Sequence, residues 1–184
     1  MFYEMKIAGL DRKLPLCRVS DDLYIGAFVM FGDVEITKAA AEQLLAMAPD
    51  FDVIVTAESK GIPLAYEMAK LAGSKPYVVL RKGQKLYMQN VIETEVNSIT
   101  TDHVQKLCLG QNEADLMRGR RILIVDDVIS TGESLRSMES LVNQVGGNIV
   151  GKMAVLAEGA AADRKDIKFL EKLPVFNPDG TVKD

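Results

Sequence analysis

With 184 residues, 48% of them hydrophobic and 26% charged, and a net charge of −4, the chain has the make-up of one globular domain with a sizeable core. No apolar run approaches the roughly 20 residues of a membrane span, the start MFYEMKIAGLDRK lacks the apolar centre of a signal peptide, and no basic stretch marks a general nucleic-acid binder. Cys17, Cys108 and the single histidine, His103, offer neither a zinc spacing nor a catalytic triad, which leaves a cytoplasmic α/β protein as the expectation.

In chain order, residues 1–36 carry apolar clusters at Leu14–Leu16 and Leu23–Phe31 and are expected to form a small N-terminal hood, with residues 37–184 as the core. Thr37 is placed to cap a helix over 38–48, where Ala41, Leu44, Leu45 and Ala48 share a face. Strands are predicted at 51–57 (FDVIVTA), 76–81 (PYVVLR), 121–126 (RILIVD) and 149–157 (IVGKMAVLA). Their nearly unbroken apolar character suits strands covered on both faces, as in a parallel sheet. Helices are predicted at 61–72, with Pro63 tolerated in the first turn, at 132–145, stopped by Gly146-Gly147, and near 162–172. The alternation implies a doubly wound, mostly parallel sheet flanked by helices, with ligands at the carboxyl ends of the strands. Residues 82–101 are too long for an ordinary turn and read as a flexible lid over about 83–101 or as a structural hairpin. The closing FNPDGTVKD reads as a surface tail.

The stretch ILIVDDVISTGES, Ile122 to Ser134, holds the main chemical signal. A loop of small residues before a helix points N–H groups at one spot, and Ser130, Thr131 and Ser134 add hydroxyl donors, which suits a phosphate monoester. Asp126 and Asp127 would repel a phosphate they faced. A ligand with both a phosphate and a vicinal diol removes the conflict, because sugar hydroxyls donate to carboxylates. The same pair can support Mg²⁺, directly or through water. A strand, polar turn and helix cap occur in every α/β protein, so the loop alone is weak evidence. A receiver domain places its acidic pair at the first strand, whereas only about 60 residues follow this one, and no G-x-x-x-x-G-K-[ST] is present.

ILIVDDVISTGES closely resembles the phosphoribosyl-pyrophosphate (PRPP) motif of type I phosphoribosyltransferases, and the resemblance extends over roughly residues 30–176. It implies that Asp126 and Asp127 bind the ribose hydroxyls and Mg²⁺, and that Val128, Ile129, Ser130, Thr131, Gly132, Glu133 and Ser134 form the PRPP loop. Glu58-Ser59-Lys60-Gly61 looks like the pyrophosphate loop of the adenine and xanthine members, and Arg81, Lys82 and Lys85 resemble their basic pyrophosphate contacts. The implied catalytic set is Asp126, Asp127, Lys60 and Arg81. Pyrophosphate would leave ribose C1 as a base nitrogen attacks through an oxocarbenium-like transition state, with cations on the leaving group and water excluded.

Base identity is less clearly written. Hypoxanthine-guanine members carry an acidic residue where this chain has Ser130, and orotate members carry a lid histidine. The loop at 58–61, the Arg-Lys pair and LAEG (156–159) favour the adenine/xanthine branch. Where adenine members have a catalytic lid glutamate, this chain has Gln89 and Asn90, with Glu93 or Glu95 available only in a shifted register. Phe28, Phe31 and Leu156 are candidates to sandwich a purine, or else are core residues. Purine-operon repressors resemble the chain in KGIPLAY and the PRPP loop, but their DNA-binding domain has no counterpart in the 30 residues before the core. The expectation is a homodimeric adenine phosphoribosyltransferase, with a xanthine or other nucleobase enzyme, or a PRPP sensor, as the alternative.

Overall fold

The protein is described by a computed structural model over residues 1–96 and 105–183. The core is a five-stranded parallel sheet of β4 (Val53–Ala57), β5 (Tyr77–Leu80), β8 (Arg121–Ile129), β9 (Asn148–Glu158) and β10 (Lys168–Leu173), in the order β10-β9-β8-β4-β5. Alternate side chains of these strands feed two apolar layers. Leu123, Val125, Met153 and Val155 pack with α1 (Val34–Met47) and α2 (Ile62–Leu71). Ile122, Ile124, Val53 and Val55 pack with α3 (Gln111–Met117) and α4 (Glu133–Gln144) on the other face. Burial on both sides explains why the strand sequences show no polar alternation.

The hood is an antiparallel sheet of β1 (Phe2–Ile7), β2 (Leu10–Arg18) and β3 (Tyr24–Gly26), completed by β11 (Val175–Phe176). The end of the chain is therefore not a loose surface tail. Phe176 is fully buried, packs on the Tyr3 ring at 4.9 Å, and bridges Val182. Arg12 on β2 ties this sheet to the core through Asp33 (2.7 and 3.0 Å) and Glu35 (2.8 Å).

Other sequence expectations shift. Helix α1 begins four residues before position 38, because Asp33 rather than Thr37 caps it, accepting from the Ile36 N–H. Thr37 instead turns its hydroxyl back onto the Asp33 carbonyl. The helix expected near 162–172 is a 3-10 turn, Gly159–Asp163, followed by strand β10. Phe169 there joins the core while its neighbours Lys168 and Glu171 stay exposed, a spacing that suits a short edge strand as well as a helix.

The segment expected to be a lid is in part a hairpin, β6 (Ile92–Val96) paired with β7 (Gln105–Leu109). Its stem is docked: Leu107 and Leu109 enter the core beside α4, Thr94 bonds Ser140, and Cys108 exchanges backbone bonds with Arg81. Residues 97–101 of the expected lid lie outside the described residues.

Candidate active site

Strand order reverses between β4 and β8, which lie side by side although β5 and the hairpin separate them in sequence. The loops leaving the carboxyl ends of two such strands diverge and open a crevice, the usual ligand position in open α/β sheets. Here those loops are residues 58–61 and 130–132.

Strand β8 extends three residues beyond the expected end and carries both acidic residues. The inward-outward alternation of β8 breaks at this pair: Val125 and Val128 both pack in the α1/α2 layer while Ile124 and Ile129 pack in the other, and the two carboxylates lie within hydrogen-bonding reach of each other. Asp127 is 3% exposed and turns toward the first loop, where its Oδ2 lies 2.7 Å from the Lys60 ammonium. That contact is a charge pair in poor alignment, since Oδ2 has no hydrogen bond of good geometry. Asp126 lines a pocket of about 120 Å³ with Val128 and Ile129 to Leu135. It keeps some accessible surface yet is closely surrounded by protein atoms. Burial, and then the adjacent Asp127 carboxylate, raise its pKa well above the usual carboxylate range; the Asp127 N–H and Lys60 act the other way.

Val128 and Ile129 belong to the strand; the Ile129 side chain is in the core, and the half-buried Val128 lines the pocket. Ser130 and Thr131 are exposed, and Gly132 takes the left-handed conformation (φ 80°) that turns the chain into α4. Arg136 holds the Thr131 and Gly132 carbonyls at 3.2 and 3.4 Å. Peptide planarity then turns the Gly132 and Glu133 N–H groups away from Arg136.

On the opposite loop, Glu58 organises the cations. It accepts the Lys82 N–H at 3.0 Å and lies 3.4 Å from Arg81, and these contacts with Lys85 nearby lower its pKa. Arg81 keeps its Nε buried without a hydrogen-bond partner, while its Nη2 lies beside Glu58. Lys60 and Lys82 are exposed at the mouth, Ser59 lies beside them, and Lys85 is half-buried. Gly61 packs directly on the far side: a Cβ there would lie 2.4 Å from Thr56 Oγ1 and 3.1 Å from Asp126 Oδ1.

The proposed base sandwich does not assemble from side chains. Phe28 and Leu156 are buried in the apolar layer under α1, 4% and 0% exposed, because their strand and loop positions point inward. Phe31 is exposed beside Pro63 and Tyr66, in a different pocket. Glu93 is exposed on β6 and Asn90 occupies a left-handed turn. A cleft of about 620 Å³ does open where the hood meets the end of β9, lined in part by Tyr3, Gly159, Ala160 and Val175.

The structure also brings in residues the sequence did not single out for a role. Thr56 underlies Gly61. Glu158, at the end of β9, is 8% exposed; burial raises its pKa, while the Ser130 hydroxyl and Lys60 oppose the rise. Arg164 lies against Gly132. Glu158 had a signal, a carboxylate ending an apolar strand, whereas Arg164 stood in a segment read as helix.

No cluster of three metal-ligating side chains exists among the described residues. Asp126 and Asp127 fit Mg²⁺ only as an ion that arrives with a polyphosphate, whose oxygens and water supply most of its shell.

A carboxylate pair and a phosphate-sized loop face a second, cationic loop across a topological switch, an arrangement chemically suited to a phosphorylated sugar with a further anionic group. The phosphoribosyl transferase domain family matches residues 33–180, and the chain belongs to that family. It is 33% identical over 130 residues to an adenine phosphoribosyltransferase of Agathobacter rectalis, covering 68% of this chain and 67% of that one. It is 28% identical over 116 residues to the purine biosynthesis transcriptional repressor PurR of Bacillus subtilis, covering 63% of this chain and 39% of the repressor. Among solved structures, adenine phosphoribosyltransferase from Rhodothermus marinus superposes with a TM-score of 0.66 at 25% identity, over 78% of this chain and 83% of the other.

Proposed function

We propose that the protein transfers the 5-phosphoribosyl group of PRPP to a purine, adenine first among the candidates, releasing pyrophosphate. The observation that carries this is the 2.7 Å approach of Lys60 to Asp127, which joins the two anion-suited loops into one crevice. Asp126 and Asp127 accept from the ribose hydroxyls, and the N–H groups of 130–134 hold the 5′-phosphate. Lys60, Arg81 and Lys82 neutralise the pyrophosphate as it leaves. Asp126 and Asp127 would hold Mg²⁺ brought in with PRPP, and the ion would supply charge neutralisation on the pyrophosphate. A homodimer is the assembly we expect.

Adenine is supported by the adenine phosphoribosyltransferase relatives in both sequence and fold. A PRPP sensor is the second reading, favoured by the likeness to the repressor. A pyrophosphate-release assay with PRPP, Mg²⁺ and adenine, xanthine, guanine, hypoxanthine or orotate separates them. Turnover fastest with adenine supports the proposal, and turnover with another base alone transfers it to that base. Tight PRPP binding with no turnover on any base refutes the enzyme and favours the sensor.

A further inference from the structure

A dianionic phosphate in the 126–135 pocket meets a charge problem, because the lining residues include Asp126 and Glu133 and no lysine or arginine. Backbone dipoles supply part of the compensation. Two guanidinium groups flank the loop from outside. Arg136 holds its carbonyls. Arg164 approaches Gly132 so closely that its Nη1 lies 2.7 Å from where a Cβ would stand.

We infer that Arg164 is the positioning cation of the phosphate loop: a guanidinium braced by Asp166 that lies on Gly132 and sets the loop's hold on a 5′-phosphate monoester. This rests on the reading above that the loop takes such a group. Arg164 Nε and Nη2 make a forked pair with Asp166 at 2.9 and 2.7 Å, so the Nη1 edge is the one presented to Gly132. Asp166 is held in turn by Lys152 at 2.6 Å, and Lys152 also holds Glu139 of α4 at 2.6 Å. The brace therefore links β9, the segment after the 3-10 turn and the helix that the loop opens. Its two cations and two anions balance, which lets Arg164 rest there without a ligand. Gly132 is required twice: its φ of 80° disfavours other residues, and a side chain would displace the guanidinium.

The test is calorimetric binding of ribose 5-phosphate, PRPP and pyrophosphate to the full chain, with melting temperatures recorded alongside. The proteins compared are the wild type, Arg164→Ala, Arg164→Lys and Asp166→Asn. For Arg164→Ala the expected result is about 10-fold weaker binding of ribose 5-phosphate and PRPP, with pyrophosphate affinity within about twofold. Arg164→Lys, which keeps the charge without the fork, should recover part of the loss, and Asp166→Asn should lose about threefold. Unchanged ribose 5-phosphate binding in Arg164→Ala overturns the inference. So does an equal loss for ribose 5-phosphate and pyrophosphate that follows a fall in melting temperature, which is what a purely structural residue would give. If Arg164→Ala does not fold, the same contrast between the two ligands is read from Arg164→Lys and Asp166→Asn. Wild type that binds neither PRPP nor ribose 5-phosphate instead sinks the reading of the loop, and the inference with it.

Discussion

Gly61→Ala is expected to damage both stability and substrate binding, although alanine is the mildest replacement available. The backbone at Gly61 (φ −75°, ψ −9°) is open to any residue, so strain in the chain is not the reason. The reason is space. The new methyl would lie 2.4 Å from Thr56 Oγ1, 3.1 Å from Asp126 Oδ1 and 3.4 Å from Asp126 Cα. Restoring ordinary contact requires a shift of about 1 Å. Thr56 is fully buried inside β4 and Asp126 is fixed in the adjacent strand, so neither can turn aside freely. Overpacking of this kind costs about 1–3 kcal/mol. In a domain of this length that lowers the melting temperature by ~2–12 °C. The displaced groups are the Lys60 loop and Asp126, the carboxylate proposed to meet the ribose, and misplacement of about 1 Å reduces kcat/KM by on the order of 10- to 100-fold. Thr56→Ala removes the nearest obstacle, and its hydroxyl is buried without a partner, so its own cost is about 1 kcal/mol from the lost methyl. Thermal melts and pyrophosphate-release kinetics on both single variants and the double variant measure the coupling. The double variant should regain most of what Gly61→Ala loses. Gly61→Ala melting within about 1 °C of wild type, or losses that simply add in the double variant, would refute the steric explanation.

Other predictions concern the charges. Asp127→Asn should weaken PRPP binding in calorimetry while circular dichroism shows the fold retained; unchanged affinity counts against the ribose assignment. Lys60→Ala, which removes the cation 2.7 Å from Asp127, should weaken pyrophosphate binding by about 10-fold, and equal binding would remove Lys60 from the site. Asp33 caps α1 and accepts a fork from Arg12, which lowers its pKa, so its contribution is fully present above the ordinary carboxylate value and is lost as pH falls through the lowered one. Asp33→Ala should therefore cost about 1–2 kcal/mol at pH 7. The gap to wild type in chemical denaturation should close only as pH falls below the ordinary carboxylate range; a gap that stays constant from neutral to strongly acidic pH would show that Asp33 acts through something other than its charge.

Much of the core was legible because each strand had to be apolar throughout and each helix apolar on one face. Residues 51–57, 76–81, 121–126 and 149–157 carry those patterns locally, and the run from Asp126 to Ser134 carries its chemistry in order. What escaped depended on distant partners. The segment at 168–173 became a strand because β9 offers it a parallel edge. Residues 175–176 joined the hood because β3 was left with an open edge. Residues 105–109 are held by Arg81 and α4, neither of which is near them in sequence.

The same division runs through the site. Sequence by itself determined the carboxylate pair, the small-residue loop and the cationic loop, since a phosphate cradle at a strand-to-helix junction is a local object. Tertiary structure alone decided that Asp126 and Asp127 lie against each other and against the 58–61 loop, because β8 runs on to Ile129 with its alternation broken at the pair. It also removed Phe28 and Leu156 from the ligand side and brought Arg164 to Gly132. Those outcomes turn on which strand edges are free and which side chains meet across 30 or more residues, and no local pattern records that.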